Sequence, residues 1–131
     1  MIAIDTNILL RLTLDDSKEQ SARARGLIEA AALKGETVYI SPIAIAEYVW
    51  TLQRGYRLSR SEQVAAVLIY FNRPPFRLFS EGAIEHAIQL FESGTADFSD
   101  CLMAAMNSAA SVTSTYSFDK AAIADNIFTA I

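Results

Sequence analysis

Four acidic residues stand where a short apolar segment gives way to a helix-like one: Asp5 in MIAIDTN, Glu47 in SPIAIAEYVW, Asp100 in ADFSDCLMAA and Asp119 in YSFDK. In an open parallel sheet the strands end along one edge, so side chains distant in sequence can meet in one crevice. Carboxylates gathered there repel one another unless a cation lies between them. The pattern points to a carboxylate-only metal site. Oxygen-only ligation suits hard cations, Mg²⁺ with Mn²⁺ as its substitute, and disfavours zinc. Such ions activate a water, polarise phosphorus and stabilise the leaving oxygen of an in-line displacement, so the chemistry implied is phosphodiester hydrolysis.

Each acid also has a plainer role to weigh. Asp97 and Asp119 are placed as helix N-caps, Asp97 with Asp100 three residues on imitates a capping box, and Asp5 is positioned in the same way. Asp97 therefore either joins the metal cluster or caps its helix. Counted from a cap at Ser41, Glu47 falls in the second helical turn, where no free backbone N–H remains. Its same-face neighbours are Ile43, Ala44, Trp50 and Thr51, an apolar surface on which a carboxylate needs a partner. That partner is either a metal or an internal ion pair with Lys120 or an arginine.

The elements that must position these acids follow from periodicity. Met1 to Ile4 suits a buried strand, and Asp5-Thr6-Asn7 caps a helix through ILLRL. Residues 17 to 33 place Ala24, Leu27, Ile28, Ala31 and Ala32 on one face, and Lys34-Gly35 ends that helix. Thr37 to Ile40 is β-rich, and Ser41-Pro42 opens the next helix. Ser59-Arg60-Ser61-Glu62 is a capping-box sequence for a helix with Val64, Val67, Leu68 and Phe71 inward, closed by Asn72 and Pro74-Pro75. Phe76 to Phe79 reads as a third strand. Ser80 caps a helix carrying Ile84, Ala87, Ile88 and Phe91 that Gly94 stops, and another helix runs from about Phe98 to Ala110. Val112 to Tyr116 is the expected fourth strand and Ile127 to Ile131 the fifth. Strands alternating with helices predict a parallel sheet covered on both faces, in one domain over residues 1–131.

Composition bounds the function classes. A chain of 131 residues with 52% hydrophobic residues can bury a core unaided. Its apolar stretches are broken well short of the roughly 20 residues a membrane span needs, and no basic segment leads into an apolar one at the N-terminus. With a lone cysteine, Cys101, no internal disulfide forms, and the expected location is the cytoplasm. The net charge of −4 argues against nucleic acid, yet Arg54, Arg57, Arg60, Arg73 and Arg77 are opposed within their segment only by Glu62. That segment reads equally as a solvated surface and as a phosphate-contacting rim.

IDTNILLRL, an acid within an apolar helix after the second strand, DFSDCLMAA and SFDK, in this order, resemble the PIN-domain ribonucleases, most closely the VapC-type toxins of toxin–antitoxin pairs. The resemblance spans nearly the whole chain and implies a PIN-like three-layer α/β fold with a central, mostly parallel sheet of four or five strands. It assigns Asp5, Glu47 and Asp100 as main Mg²⁺ ligands, Asp119 as completing the cluster, and Thr6, Asn7 and Ser117 as polar neighbours. Cys101 stands where the family usually has a small residue such as alanine, and Ser117 where threonine is common. The implied activity is that of an endoribonuclease toxin acting on RNA, restrained by an antitoxin protein and acting as a homodimer. The Arg54 to Arg77 segment and Arg11 are candidates for RNA phosphates. Ile8, Trp50 and Tyr56 line either an antitoxin groove or core and dimer contacts, and His86 reads as an ordinary helix residue. Two other classes compete. One is a phosphoacceptor signalling domain, suggested by Lys120 but lacking the acidic pair after the first strand. The other is a catalytically silent protein-binding module.

Overall fold

Short apolar strands run almost directly into capped helices, and this alternation builds the first half of the molecule. The computed structural model describes residues 1–131 and divides into two compact units, Met1–Phe79 and Ser80–Ile131. In the first, β1 (Ile2–Ala3), β2 (Val38–Ile40) and β3 (Phe76–Leu78) form a parallel sheet in the order β1-β2-β3, with Ile2 opposite Val38 and Val38 opposite Phe76. All three strands therefore end at one edge, where Asp5 follows β1 and Ser41 follows β2. Connecting them are α1 (Thr6–Thr13), α2 (Lys18–Leu33), α3 (Pro42–Tyr56) and α4 (Arg60–Leu68). Parallel strands need such crossovers, and the core of this unit buries Leu9, Ile45, Tyr48, Val49, Leu52 and Val67 of the helices and Val38, Ile40 and Leu78 of the strands.

Local chemistry accounts for the helix ends. Ser41 caps α3 by accepting from the Ala44 N–H, with Pro42 as the first helical residue, and Ser59 with Glu62 forms the full capping box of α4. At the end of α2, Gly35 adopts φ +67°, and the Gly35 and Glu36 N–H groups return to the carbonyls of Ala32 and Ala31. Two expected helix faces are rotated. On α2 the buried side is Ser21, Ala24 and Ala31, leaving Leu27 and Ala32 exposed. On α4 it is Gln63, Ala66 and Val67, leaving Leu68 exposed. Gln63 is drawn inward because its side chain donates to the Leu58 carbonyl that precedes the helix.

The second unit pairs α5 (Glu81–Ser93) with α6 (Phe98–Ala109). Ile84, Ala87, Ile88 and Phe91 meet Phe98, Cys101, Leu102 and Ala105, and the Phe91 and Phe98 rings stack edge to face with centroids 5.7 Å apart. A small parallel βαβ unit follows: β4 (Tyr116–Ser117), α7 (Lys120–Ala124) and β5 (Thr129–Ala130). The strands thus stand as a three-stranded and a two-stranded sheet. The fourth strand begins later than expected because Ser111, at φ 64°, turns the chain back on α6. The Ser111 and Val112 N–H groups bond the Ser108 and Asn107 carbonyls, so Val112 closes a helix instead of opening a strand.

Candidate functional site

In the first unit the acids sit where β1 ends and on the first turns of α3. Asp5 caps α1: its Oδ1 accepts the Ile8 N–H at 3.1 Å, while the side chain as a whole stays exposed. Its neighbour Thr6 donates to Glu47 Oε2 at 2.9 Å. Glu47 is itself exposed beside the exposed Ile43 and Trp50, so solvent and the Thr6 hydroxyl take the place of the ion-pair partner that its apolar neighbours suggested.

A second threonine explains why Thr6 reaches Glu47. Thr13 lies seven residues on, close to two helical turns, so both hydroxyls face α3. Thr13 Oγ1 is 2.7 Å from the Tyr48 hydroxyl and 2.8 Å from that of Tyr70, and Tyr70 also reaches the Leu9 carbonyl at 2.9 Å. Burial raises the pKa of both tyrosines, which fixes them as neutral hydroxyls. Helix α1 is thereby tied to α3 at both ends, and the separation of Asp5 from Glu47 is set by those ties.

In the second unit Asp97 and Asp119 are also caps. Asp97 Oδ1 accepts the Asp100 N–H at 2.9 Å, and Asp119 Oδ1 accepts the Ala122 N–H at 2.8 Å. Ser117 supports Asp119 by accepting its N–H at 2.9 Å. Asp100, on the first turn of α6, is pushed up to about 6, first by burial, then by the negative charges of Asp97 and Asp119 and a hydrogen bond to the Asp97 carboxyl. Asp100 thus senses both neighbours, and ionising it costs free energy as the protein stands.

One acid that the sequence did not single out belongs to the same frame. Asp125, at the end of α7, accepts the Thr95 and Ala96 N–H groups at 2.7 Å each and the Thr95 hydroxyl at 3.1 Å. Its only sequence signal is an acid beside Asn126 at a helix end, which reads as an ordinary turn.

A cavity of about 470 Å³ opens beside Asp5, lined also by Asn7, Arg11, Gln20, Arg23 and Leu27. Arg11 is held by Asp16 at 2.6 Å and Gln20 at 2.5 Å, and Asp16, bonded by the Tyr56 hydroxyl and by Arg11, is lowered below the usual carboxylate range. Tyr56 is thus occupied on the surface with Asp16, Ile8 faces the cavity, and Trp50 lies exposed beneath the Arg54 guanidinium, 5.3 Å from the ring centroid. The arginine-rich segment does not gather beside Asp5. Arg54 and Arg57 sit at the far end of α3 from Ser41, and Arg77 lines a cavity with Thr37, Pro74 and Pro75 where the strands begin. Lys120 is exposed as the first residue of α7, Cys101 is buried, and His86 is half-buried on α5.

No three His, Cys, Asp or Glu side chains form a ready metal cage. Two observations nevertheless fit a hard cation. The donors are carboxylate oxygens, with Oδ1 of each cap engaged by a backbone N–H, and the rise of Asp100, due first to burial and then to the charges of Asp97 and Asp119, is opposed by positive charge. No helix is long and apolar enough to cross a membrane. Comparison with known proteins gives two matches. A family model described as PIN domain matches residues 2–124. A curated VapC ribonuclease of Aquifex aeolicus (strain VF5) is 28% identical over 102 residues, covering 78% of this chain and 75% of that protein.

Proposed function

This chain belongs to the PIN domain family, and on that premise we propose that it is a Mg²⁺-dependent endoribonuclease, the toxin of a type II toxin–antitoxin pair. Its single domain comprises both units, a reading supported by a family match that runs across residues 2–124. Asp5, Glu47, Asp97, Asp100 and Asp119 hold the cation, Mg²⁺ or Mn²⁺. The substrate is RNA, the restraining partner an antitoxin protein, the working form a cytoplasmic homodimer. Support for the ribonuclease and toxin assignment comes from the similarity to the Aquifex VapC ribonuclease. The observation that carries the reading is geometric: Asp97 and Asp119, each held as a cap by its Oδ1, flank Asp100 closely enough to add to the rise that burial gives it, a cost that a bound cation would offset.

Hydrolysis adds water across the phosphodiester, forming one P–O bond as another breaks and leaving a phosphate monoester and a free hydroxyl. The cation, when bound, supplies water activation and charge neutralisation at phosphorus. The chain's own residues do the positioning. Thr6 fixes one oxygen of Glu47 and leaves the other open. The caps of Asp5, Asp97 and Asp119 fix one oxygen of each on a backbone N–H. Arg11, pre-oriented by Asp16 and Gln20 in the cavity beside Asp5, offers its guanidinium to a substrate phosphate.

Cleavage of total cellular RNA by purified wild-type and Asp5→Asn proteins tests this, with Mg²⁺, with Mn²⁺ and with chelator. Discrete metal-dependent products from the wild type, lost in the variant, are expected. Because asparagine caps a helix as well as aspartate, α1 survives the substitution and the loss reports on chemistry. Equal products from both proteins, or none from either with Mn²⁺ present, would overturn the reading.

A further inference from the structure

We propose that Asp125 is a positioning residue: it clamps the Gly94–Ala96 loop onto the end of α7 and so fixes Asp97 and Asp100 at a set distance from Asp119. The clamp is built from three hydrogen bonds to one carboxylate, two from consecutive backbone N–H groups and one from the Thr95 hydroxyl. The residues gripped, Thr95 and Ala96, lead straight into Asp97, which caps α6, and Asp100 lies on that helix's first turn. At its other end α7 starts from the cap Asp119. Six residue steps separate Asp119 from Asp125, a strut of about 9 Å at helical rise. One carboxylate therefore closes a loop of structure that contains the three ligand candidates of this unit.

Gly94 shows how tight the closure is. A Cβ there would lie 2.8 Å from Asp125 Cγ and closer still to Oδ2, so only glycine lets the loop meet the carboxylate. The clamp also has something to resist. Asp97 and Asp119 each put negative charge beside Asp100, and without a fixed frame the three would drift apart. Partners that orient ligands characteristically change metal affinity by 10–100-fold when removed.

The inference rests on the proposed metal-dependent reading, and the experiment separates the two. Mn²⁺ binding is measured by titration calorimetry without RNA for wild type, Asp125→Asn, Asp125→Ala, Gly94→Ala and Thr95→Val, each with its melting temperature in chelator. Asp125→Asn keeps one acceptor oxygen for the loop, and Thr95→Val removes the hydroxyl contact alone, so both report even where Asp125→Ala does not fold. The expected result is a loss of Mn²⁺ affinity of about 10-fold or more in Asp125→Asn and in Gly94→Ala, the latter with every carboxylate intact. A smaller loss is expected in Thr95→Val. Wild-type Mn²⁺ affinity in folded Asp125→Asn and Gly94→Ala, whatever their melting temperatures, would reduce Asp125 to a structural tie and overturn the proposal. Absence of Mn²⁺ binding by the wild type would overturn the metal reading itself.

Discussion

At Asp5, Asp97 and Asp119 capping and ligation do not compete, because a carboxylate has two oxygens and the backbone takes only Oδ1 of each. The contrast between asparagine and alanine at these positions separates the roles. Asparagine should leave the helices intact, whereas alanine should cost about 1 kcal/mol of stability. Asp100 carries the pH dependence. Its folded-state pKa of about 6 lies above the ordinary 3.8, so the folded protein holds this proton while the unfolded chain releases it. Asp100 should therefore withdraw stability from the metal-free protein as pH rises from 3.8 to about 6, first through its burial and then through the like charges of Asp97 and Asp119. Melting curves in chelator across that range check this: the decline should shrink in Asp100→Asn and on adding Mn²⁺. The acids were legible in sequence because capping signals are local. The surroundings of Glu47 were not, since they depend on a hydroxyl 41 residues away, and Asp125 escaped notice because the groups it grips lie about 30 residues earlier.

Among the elements, α1 gives the clearest case of a helix placed by two side chains. Thr13→Val would remove the hydroxyl that Tyr48 and Tyr70 share and leave each with only its carbonyl acceptor, Ala66 and Leu9, at an expected cost of about 1 kcal/mol. Thr6→Val should cost little stability, because its contact is exposed, but should free Glu47 and lower cleavage. Thermal melts paired with RNA cleavage for both variants test that division. A matching stability loss in both would show the Thr6 contact to be structural. Caps and glycine stops made most helices legible: Ser41, Ser59, Ser80 and Gly35 all act where the sequence placed them. The failures have two causes. Ser111 and Asn126 take left-handed conformations that glycine usually signals, and the rotated faces of α2 and α4 follow from buried Ser21 and Gln63, polar residues that apolar periodicity assigns to solvent.

For the molecule as a whole, a net charge of −4 means that on the proposed function RNA would be held by local rather than global attraction. The basic residues beside Asp5 are Arg11 and Arg23, while the arginine-rich segment is spread along other surfaces. RNA affinity should fall with salt at a slope of about −0.7 per phosphate contact, and replacing Arg11 and Arg23 together should flatten the slope by about 1.4. Binding of a catalytically inactive variant to single-stranded RNA across a salt series measures this, and an unchanged slope would move the phosphate path elsewhere. The paired threonines of α1 also bear on how the chain can diverge. Each inserted or deleted residue turns a helix by about 100°. A length change between positions 7 and 12 would therefore swing Thr6 and Thr13 to different sides and break one tie or the other. Descendants of this sequence should accumulate gaps in the connection from Leu14 to Ser17 or around Leu58, and keep the two-turn interval of α1 constant even where its other residues have been replaced.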